Sequence, residues 1–531
     1  MRVESPRGRR WLLWLAFGLI LLFEGSVRWR LLDFPLERDE GEYTYNAQLL
    51  LQGVSPYEAA IASHKLPGMY LVCAPALAFW PDLPGGLHIT LLIANAASTA
   101  CLFVLMRKLA GDFAALASAM AFALLAIGEG VLGFAAHSEH FVVTPTLVAL
   151  LLLLGALERP AALVRLFAAG FALGIAIVIR QPAALFALLA LALLIASDRS
   201  KRKSLASIVR RSASLSVGVV LPFALVCIWM WSAGVFPTFW FWTVEYASEY
   251  GSRLTFARGL VALFDTLPRV VSTQAPIWIA ALLGLALSIG ERTRRTALVV
   301  GWTCVASAAV AAGFHFREHY FVQLLPVVAA LFGIACAGPT WLSARAARTW
   351  RWVAIVAATS ILTGCVWSQR DYLFRTPVLE LCRRIYAGNL FVEVQAVAIE
   401  LRERSSESDT IAVLGSEAEL CAYAHRRSAS KYIYTYALTE SSPFAEPAQR
   451  AMISEIETAR PRFFVFVNSV LSWMPNRDSP QRIFEWSKQF VEDGYELVGV
   501  VEAEGTPRWD DEARAQPPTE SRPYVAVYGR R

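Results

Sequence analysis

Charge is scarce in this chain: Asp, Glu, Lys and Arg make up 17% of its 531 residues, against 56% hydrophobic ones. That balance excludes an ordinary soluble globule and fits a polytopic membrane protein with some soluble mass. Its eight cysteines are scattered with no CxxC spacing, so no redox or zinc motif is signalled. Five sit in apolar runs as small fillers, and whether Cys382 and Cys421 of the polar tail pair is left open. No Walker loop, no Ser-His-Asp motif and no internal repeat appears. The sequence GEGVLG (128–133) spells GxGxxG, but it follows an apolar run and lacks the preceding strand that dinucleotide binding needs. It reads as a tight loop.

Long apolar runs are abundant. Those of about 17 residues or more mark candidate spans. They lie near 11–31, 87–106, 112–128, 141–157, 163–179, 182–197, 213–233, 271–289, 296–313, 321–337 and 351–368, and predict about eleven transmembrane helices. If the spans alternate, the basic clusters all fall on the N-terminal side: MRVESPRGRR, Arg107–Lys108, DRSKRKS with Arg210 and Arg211, ERTRR (291–295), and Arg345, Arg348 and Arg351. By the positive-inside rule that side is the cytoplasm. These loops account for the net charge of +6 without a nucleic-acid partner. The first run resembles a signal peptide, but no small-residue cleavage site follows it, and an uncleaved anchor is expected. The expected location is the cell's inner (plasma) membrane, multi-pass, with the loop 32–86 and everything after residue 370 on the outer side.

From about residue 370 the composition turns polar. Short β-type runs (TIAVLGS, KYIYTY, RFFVFVN, YELVGVV, YVAVYGR) alternate with helical patterns near 391–404, 417–426, 445–459 and 481–493. This predicts a small α/β domain with a mostly parallel sheet, large enough for a core of its own, and WDDEARAQPPTES reads as an exposed loop. The expected domains are therefore 1–369, a helical membrane domain carrying the outer loop 32–86, and 370–531, an extracytoplasmic α/β domain.

Four acids crowd ERDEGEY (37–43), directly after the first span. Residues 39–52 fit an amphipathic helix on the outer surface, with Tyr43, Ala47, Leu50 and Leu51 on one face. Asp39 and Glu40 then stand at its N-terminus, where carboxylates suit the helix dipole. That alone explains them as capping groups. HKLPGMYL (64–71) brings His64 and Lys65 to the same surface, and a lysine there also serves as a snorkelling anchor. HSEHF supplies His137, Glu139 and His140, IRQP supplies Arg180, and HFREHYF supplies His315, Arg317 and His319. The His315/His319 pair at i and i+4, with Glu139, is a candidate metal set, against the plainer reading as polar loop residues. Two acids, a lysine and two arginines on one face would suit transfer from an anionic phosphate ester. A carboxylate deprotonates an acceptor hydroxyl and cations hold the departing phosphate.

DEGEYTYNAQLLLQGVSPY followed by HKLPGMYL resembles the first outer loop of the polytopic C-type (GT-C) glycosyltransferases. The likeness is to bacterial family 39 proteins: protein O-mannosyltransferases, lipid A aminoarabinose transferases and related lipopolysaccharide sugar transferases. Leu66 stands where that family usually has a proline. GFALGIAIVIRQPA resembles the family's Gly-rich helix, HYFVQLLP its late helix, and TIAVLGSEAELCAYAHRRSASKYIY the outer domain of many members. The resemblance implies a GT-C membrane fold and an inverting transfer of a sugar from a polyprenyl-phosphate donor to a hydroxyl acceptor on a glycolipid, lipopolysaccharide or protein. It implies Asp39 as base with Glu40 beside it, and Lys65 on the donor phosphate. His64, Tyr43, Arg180 and Arg317 are further substrate-binding candidates, Arg317 by its facing position alone. No cofactor is certain and a divalent metal is left open. The aromatic run FPTFWFWTVEYASEY (236–250) would sit at headgroup level, as a cover for the lipid donor or as an ordinary aromatic belt. The rival readings are a non-enzymatic transporter or flippase, which intramembrane charges would favour, and a degenerate transferase that binds glycans.

Overall fold

The structure, a computed structural model, describes residues 10–61, 64–159, 162–291, 294–519 and 521–531. Arg2, Arg7, Arg9 and Arg292 of the basic clusters lie outside the described residues. The chain divides into two compact units, each built from three separated segments. One comprises Met1–Leu32, His88–Ile228 and Ser248–Arg375; the other comprises Asp33–Leu87, Trp229–Ala247 and Thr376–Arg531.

The first unit is helical, and the chain is a multi-pass membrane protein. Among the described residues, 8 helices are long and apolar enough to cross a membrane: Arg10–Arg30, Gly85–Ala110, Ser138–Leu157, Gln181–Ser200, Leu205–Ser232, Phe256–Glu291, Arg295–Phe314 and Ala344–Ser368. The other three expected runs lie on shorter apolar helices, Asp112–Ile127, Leu163–Ile179 and Leu325–Ala337. The run expected at 271–289 belongs to a 36-residue helical stretch, because the amphipathic helix Phe256–Val271 runs on through a 3₁₀ turn at Ser272–Gln274. Helix Leu325–Ala337 is buried over nearly its whole length, as a helix apolar on every side must be.

Between apolar helices in lipid, close backbone approach does much of the holding. The Gly-rich helix shows it: a Cβ on Gly170 would stand 2.0 Å from the Leu215 carbonyl oxygen, and one on Gly174 2.5 Å from that of Val219. The charges inside the first helix are structural. Arg28 donates to the carbonyls of Ala126 (3.0 Å) and Gly133 (2.9 Å), and Thr99 donates to Glu24 at 2.8 Å. Arg28 thereby satisfies the open C-terminus of helix Asp112–Ile127. GEGVLG is the loop it grips, with a single 3₁₀ turn at Glu129–Val131.

The second unit carries a six-stranded sheet: β1 (Thr410–Leu414), β2 (Arg427–Ser428), β3 (Phe463–Asn468), β4 (Tyr495–Glu502), β5 (Arg508–Trp509) and β6 (Tyr524–Arg530). The order is β2-β1-β3-β6-β4-β5. β1 pairs in parallel with β2 and β3, while β6 runs antiparallel to both β3 and β4. The sheet is therefore mixed, not mostly parallel. β1 to β4 point one way, as the alternation with helices predicts, and β6 inserts between β3 and β4 in the opposite sense. KYIYTY forms no strand. It makes one isolated bridge, Tyr432 to Ile61, and ends in the short helix Tyr436–Thr439. The stretch read as an exposed loop contains a helical turn, Asp510–Ala515, with three acids at its start. Cys382 and Cys421 are separate buried thiols.

Candidate active site

The acidic stretch begins the helix Arg38–Leu51, with Glu37 as its N-cap in an extended conformation. The Glu37 carboxylate accepts from the Glu40 N–H at 3.0 Å, and the Glu40 carboxylate accepts from the Glu37 N–H at 3.2 Å. This reciprocal capping box satisfies two otherwise open donors. Glu40 is fully buried. Of the two adjacent acids, Glu40 thus has a capping role, and Asp39 points elsewhere.

Asp39 meets Lys65, whose Nζ lies 2.6 Å from Oδ1. Glu42 stands three residues further along, on the same helix face, and takes the same ammonium from its other side. The Tyr70 hydroxyl donates to Glu42 at 2.9 Å. Tyr57 donates to the Lys65 carbonyl at 2.7 Å, and the Tyr434 hydroxyl lies 3.4 Å from Asp39. The rings of Tyr43 and Tyr434 flank the ammonium at 4.8 and 5.3 Å, a cation–π setting that helps keep it charged. The side chains of Asp39 and Lys65 are 19% and 18% exposed, whereas Glu42 is at 0%. Asp39 and Lys65 can therefore meet a ligand, and Glu42 cannot.

The electrostatics follow. Burial pushes the Glu42 carboxyl up to about 7; Asp39 pushes the same way, and Lys65 offsets only part of it. For Lys65 burial opposes the charge, but Asp39 and Glu42 outweigh it and hold the ammonium well above its ordinary range. Glu37 is raised by burial and by the charges of Asp39 and Glu40.

The polar tail fixes this helix from behind. Arg38 pairs with Glu417 at 3.0 Å and donates to Asn389 at 2.7 Å, and Ser472 donates to Glu417 at 2.6 Å. The Leu36 N–H donates to the Tyr423 hydroxyl at 2.8 Å, and Gln48 to the Ala422 carbonyl at 3.1 Å. Gly41 lets the backbones meet, since a Cβ there would lie 2.4 Å from the Glu419 nitrogen. Glu419 itself is fully buried. Burial, then Glu417, raises it well above the ordinary carboxylate range.

The remaining candidates belong to the helical unit, apart from His64, which sits half-buried beside Lys65. Arg180 pairs with Glu139 at 2.9 Å and stacks its guanidinium 4.2 Å over the Tyr320 ring. His319 approaches Glu139 at 3.8 Å and stacks on His137 with ring centres 4.0 Å apart. His315 stacks instead on Tyr250 at 4.5 Å. Burial, then the neighbouring Arg317, pushes His315 down to about 4, so it stays neutral. His315, His319 and Glu139 form no common ligand group among the described residues. Arg317 is exposed. The aromatic run is helical: Phe236–Trp240 leads into a π-helical turn, Phe241–Tyr246. Phe241 packs edge-on against Phe444 at 4.9 Å, and the Tyr246 hydroxyl bonds Glu440.

Sequence reasoning missed Glu42, Tyr57, Tyr70 and Tyr434 as members of the cluster. Only Glu42 gave a usable signal, its i, i+3 spacing from Asp39.

Comparison with known proteins follows the same lines. Residues 86–231 match the family model described as dolichyl-phosphate-mannose-protein mannosyltransferase. No curated protein sequence matches the chain. Among solved structures, ArnT from Cupriavidus metallidurans in the apo state superposes with a TM-score of 0.60 at 14% identity, covering 97% of this chain and 98% of that one. The same protein bound to undecaprenyl phosphate gives 0.56 at 14% identity, with 98% of each chain covered. The oligosaccharyltransferase AglB from Archaeoglobus fulgidus, in complex with an inhibitory peptide and a dolichol-phosphate, gives 0.52 at 11% identity, covering 97% and 75%. The fold of this chain is the GT-C fold.

Proposed function

We propose, for a chain built on the fold of the polytopic GT-C glycosyltransferases, that it moves a sugar from a polyprenyl-phosphate donor to a hydroxyl acceptor with inversion at the anomeric carbon. The observation that carries this reading is the Asp39–Lys65 contact, a base and a cation 2.6 Å apart and both partly open, on a rigidly capped helix. When the donor arrives, Lys65 engages its phosphate and releases Asp39. Asp39 then takes the proton of the acceptor hydroxyl as that oxygen bonds to the anomeric carbon. The bond from that carbon to the phosphate oxygen breaks, and its electron pair leaves with the polyprenyl phosphate. Lys65 favours the step because its attraction grows as the leaving phosphate gains charge. Arg180, Tyr43, His64 and Arg317 are further substrate contacts in this reading, and a glycolipid, lipopolysaccharide or protein is the acceptor. The undecaprenyl phosphate and dolichol-phosphate held by ArnT and AglB support the donor class. Two charges inside the first span, Glu24 and Arg28, are used to hold a threonine and backbone carbonyls, which weighs against a transporter.

The purified protein in nanodiscs, given polyprenyl-phosphate-mannose with a radiolabelled sugar and membrane extract as acceptor, is expected to release polyprenyl phosphate and transfer the label. If it neither transfers label nor binds a lipid phosphate, the reading fails. Orientation is part of the proposal: a cytoplasmic N-terminus, with the Asp39 helix and the tail outside. A reporter active only in the cytoplasm, fused after Arg531, should remain silent. An active fusion would put the acidic helix on the side where nucleotide sugars are made and remove the need for a lipid-carried donor.

A further inference from the structure

Lys65 is held by two carboxylates where one would balance its charge. The two are not equivalent. Asp39 opens to the surface, while Glu42 is sealed and has two polar side-chain partners, Lys65 and the Tyr70 hydroxyl. A buried carboxylate is tolerated only while paired. If Lys65 turns toward an anionic phosphate, Glu42 keeps one neutral hydroxyl donor and gains a nearby negative charge. Ionised, it would then be a sealed, unbalanced anion, and binding a proton is the least costly remedy. Asp39 escapes this because water reaches it.

We infer that Glu42 is a positioning residue that takes a proton from solvent when a phosphate engages Lys65, so that donor binding and Glu42 protonation are one coupled event and Asp39 stays ionised to act as base. This rests on the reading of Lys65 as the phosphate contact. The neighbourhood supports the assignment to Glu42. Facing it are Asp39 from its own helix, Tyr57 and Lys65 from the following segment, and Tyr70 from helix Gly68–Phe79. Helix Ala418–Ala424, also packed on the acidic helix, brings Glu419, Cys421 and Tyr423, with Glu417 at its N-cap, and β2 meets the far end of the acidic helix through Tyr45 and Gln52. Of these, Glu417 pairs with Arg38, Tyr423 bonds Leu36, and Glu419 meets the backbone at Gly41. Tyr434 touches the cluster on the Asp39 side. Free Glu42 titrates near 7 because of its burial, so it is poised to change state in the neutral range.

The sign of the pH effect follows. At low pH Glu42 already carries its proton, and phosphate binding needs no uptake. Above neutrality it is ionised in the free protein, uptake approaches one proton, and affinity falls by up to about tenfold per pH unit. The probe is a polyprenyl methyl phosphodiester, whose single charge does not titrate in this range. Titration calorimetry of the full-length protein in nanodiscs, in buffers of different ionisation enthalpy, reads the proton number. Uptake of about 0 near pH 5.5, about 0.5 near pH 7 and close to 1 near pH 8 is expected for a group titrating at neutrality. Glu42→Gln should bind the phosphodiester with no uptake at any pH. Binding by the unaltered protein without uptake near pH 8, or uptake that persists in Glu42→Gln and vanishes in Asp39→Asn, overturns the inference while leaving the phosphate site intact. No binding of the phosphodiester at all removes the phosphate reading of Lys65, and this inference with it.

Discussion

Asp39→Asn is expected to lower kcat/KM for sugar transfer by about 10²- to 10⁴-fold, the usual range for loss of a general base. Thermal stability and membrane insertion should stay near wild type. The amide keeps the shape of the side chain and still offers Lys65 an oxygen, but it accepts no proton from the acceptor. Asp39 is partly exposed and Lys65 keeps its pairing with Glu42, so the lost charge leaves no sealed cation behind. Steady-state transfer from a polyprenyl-phosphate sugar, with a melting curve on the same sample, separates chemistry from folding. Turnover close to wild type would remove Asp39 from the role of base. Glu40→Ala should behave in the opposite way, losing stability, because it removes the fully buried side chain that closes the helix cap.

Lys65→Ala is expected to cost roughly ten- to a hundredfold in kcat/KM, the equivalent of one charge-assisted contact of about 1.5–3 kcal/mol. Part of the loss should appear in kcat, since only the attraction that grows toward the transition state speeds the chemical step. Lys65→Arg should recover part of it, because a guanidinium also binds phosphate but with a planar fork. Removing Lys65 also strips Glu42 of its cation, and a sealed acid left with one neutral hydroxyl donor destabilises the fold. The double variant Lys65→Ala/Glu42→Gln removes that burden. If the double variant folds normally and remains impaired, the loss belongs to phosphate binding. Wild-type kcat/KM in Lys65→Ala would return the residue to the role of a membrane anchor.

How legible was this in the sequence? Span positions were, because an apolar run of membrane length has few other uses in a chain this poor in charge. That Asp39 and Lys65 meet was foreshadowed by their place in the polar stretches that follow the first apolar run. Glu40, next to Asp39 in sequence, turns away and closes the helix cap, which adjacency alone does not reveal. Glu42 was in plain view, and helical phase alone puts it with Asp39. Tyr434 was out of reach, since it approaches Asp39 from 395 positions away and no periodicity encodes that distance. KYIYTY shows a competing effect. Its alternation suits a strand, but β1 already has β2 and β3 on its two sides, and the segment turns Tyr434 to the acidic helix. The direction of β6 was equally hidden, because an insertion between two existing strands leaves no mark on the apolar pattern.

The second unit draws on residues before Leu87 and after Thr376, about 290 positions apart. A ribosome adding about 5–20 residues per second needs roughly 15 to 60 seconds to bridge that interval. For that time the acidic helix exists without the helix Ala418–Ala424 that packs at Gly41. Arg38 waits for Glu417, and Tyr45 for the Ser428 N–H it accepts at 2.7 Å. Newly made chains thus pass through a stage in which the acidic helix is present without the tail segments that hold it. A shortened chain ending before residue 376 would remain at that stage permanently. The tail expressed alone would lack the helix it is built around. For anyone preparing fragments, a piece that keeps Asp39 and Lys65 together with the segments that hold them must include both Asp33–Leu87 and Thr376–Arg531.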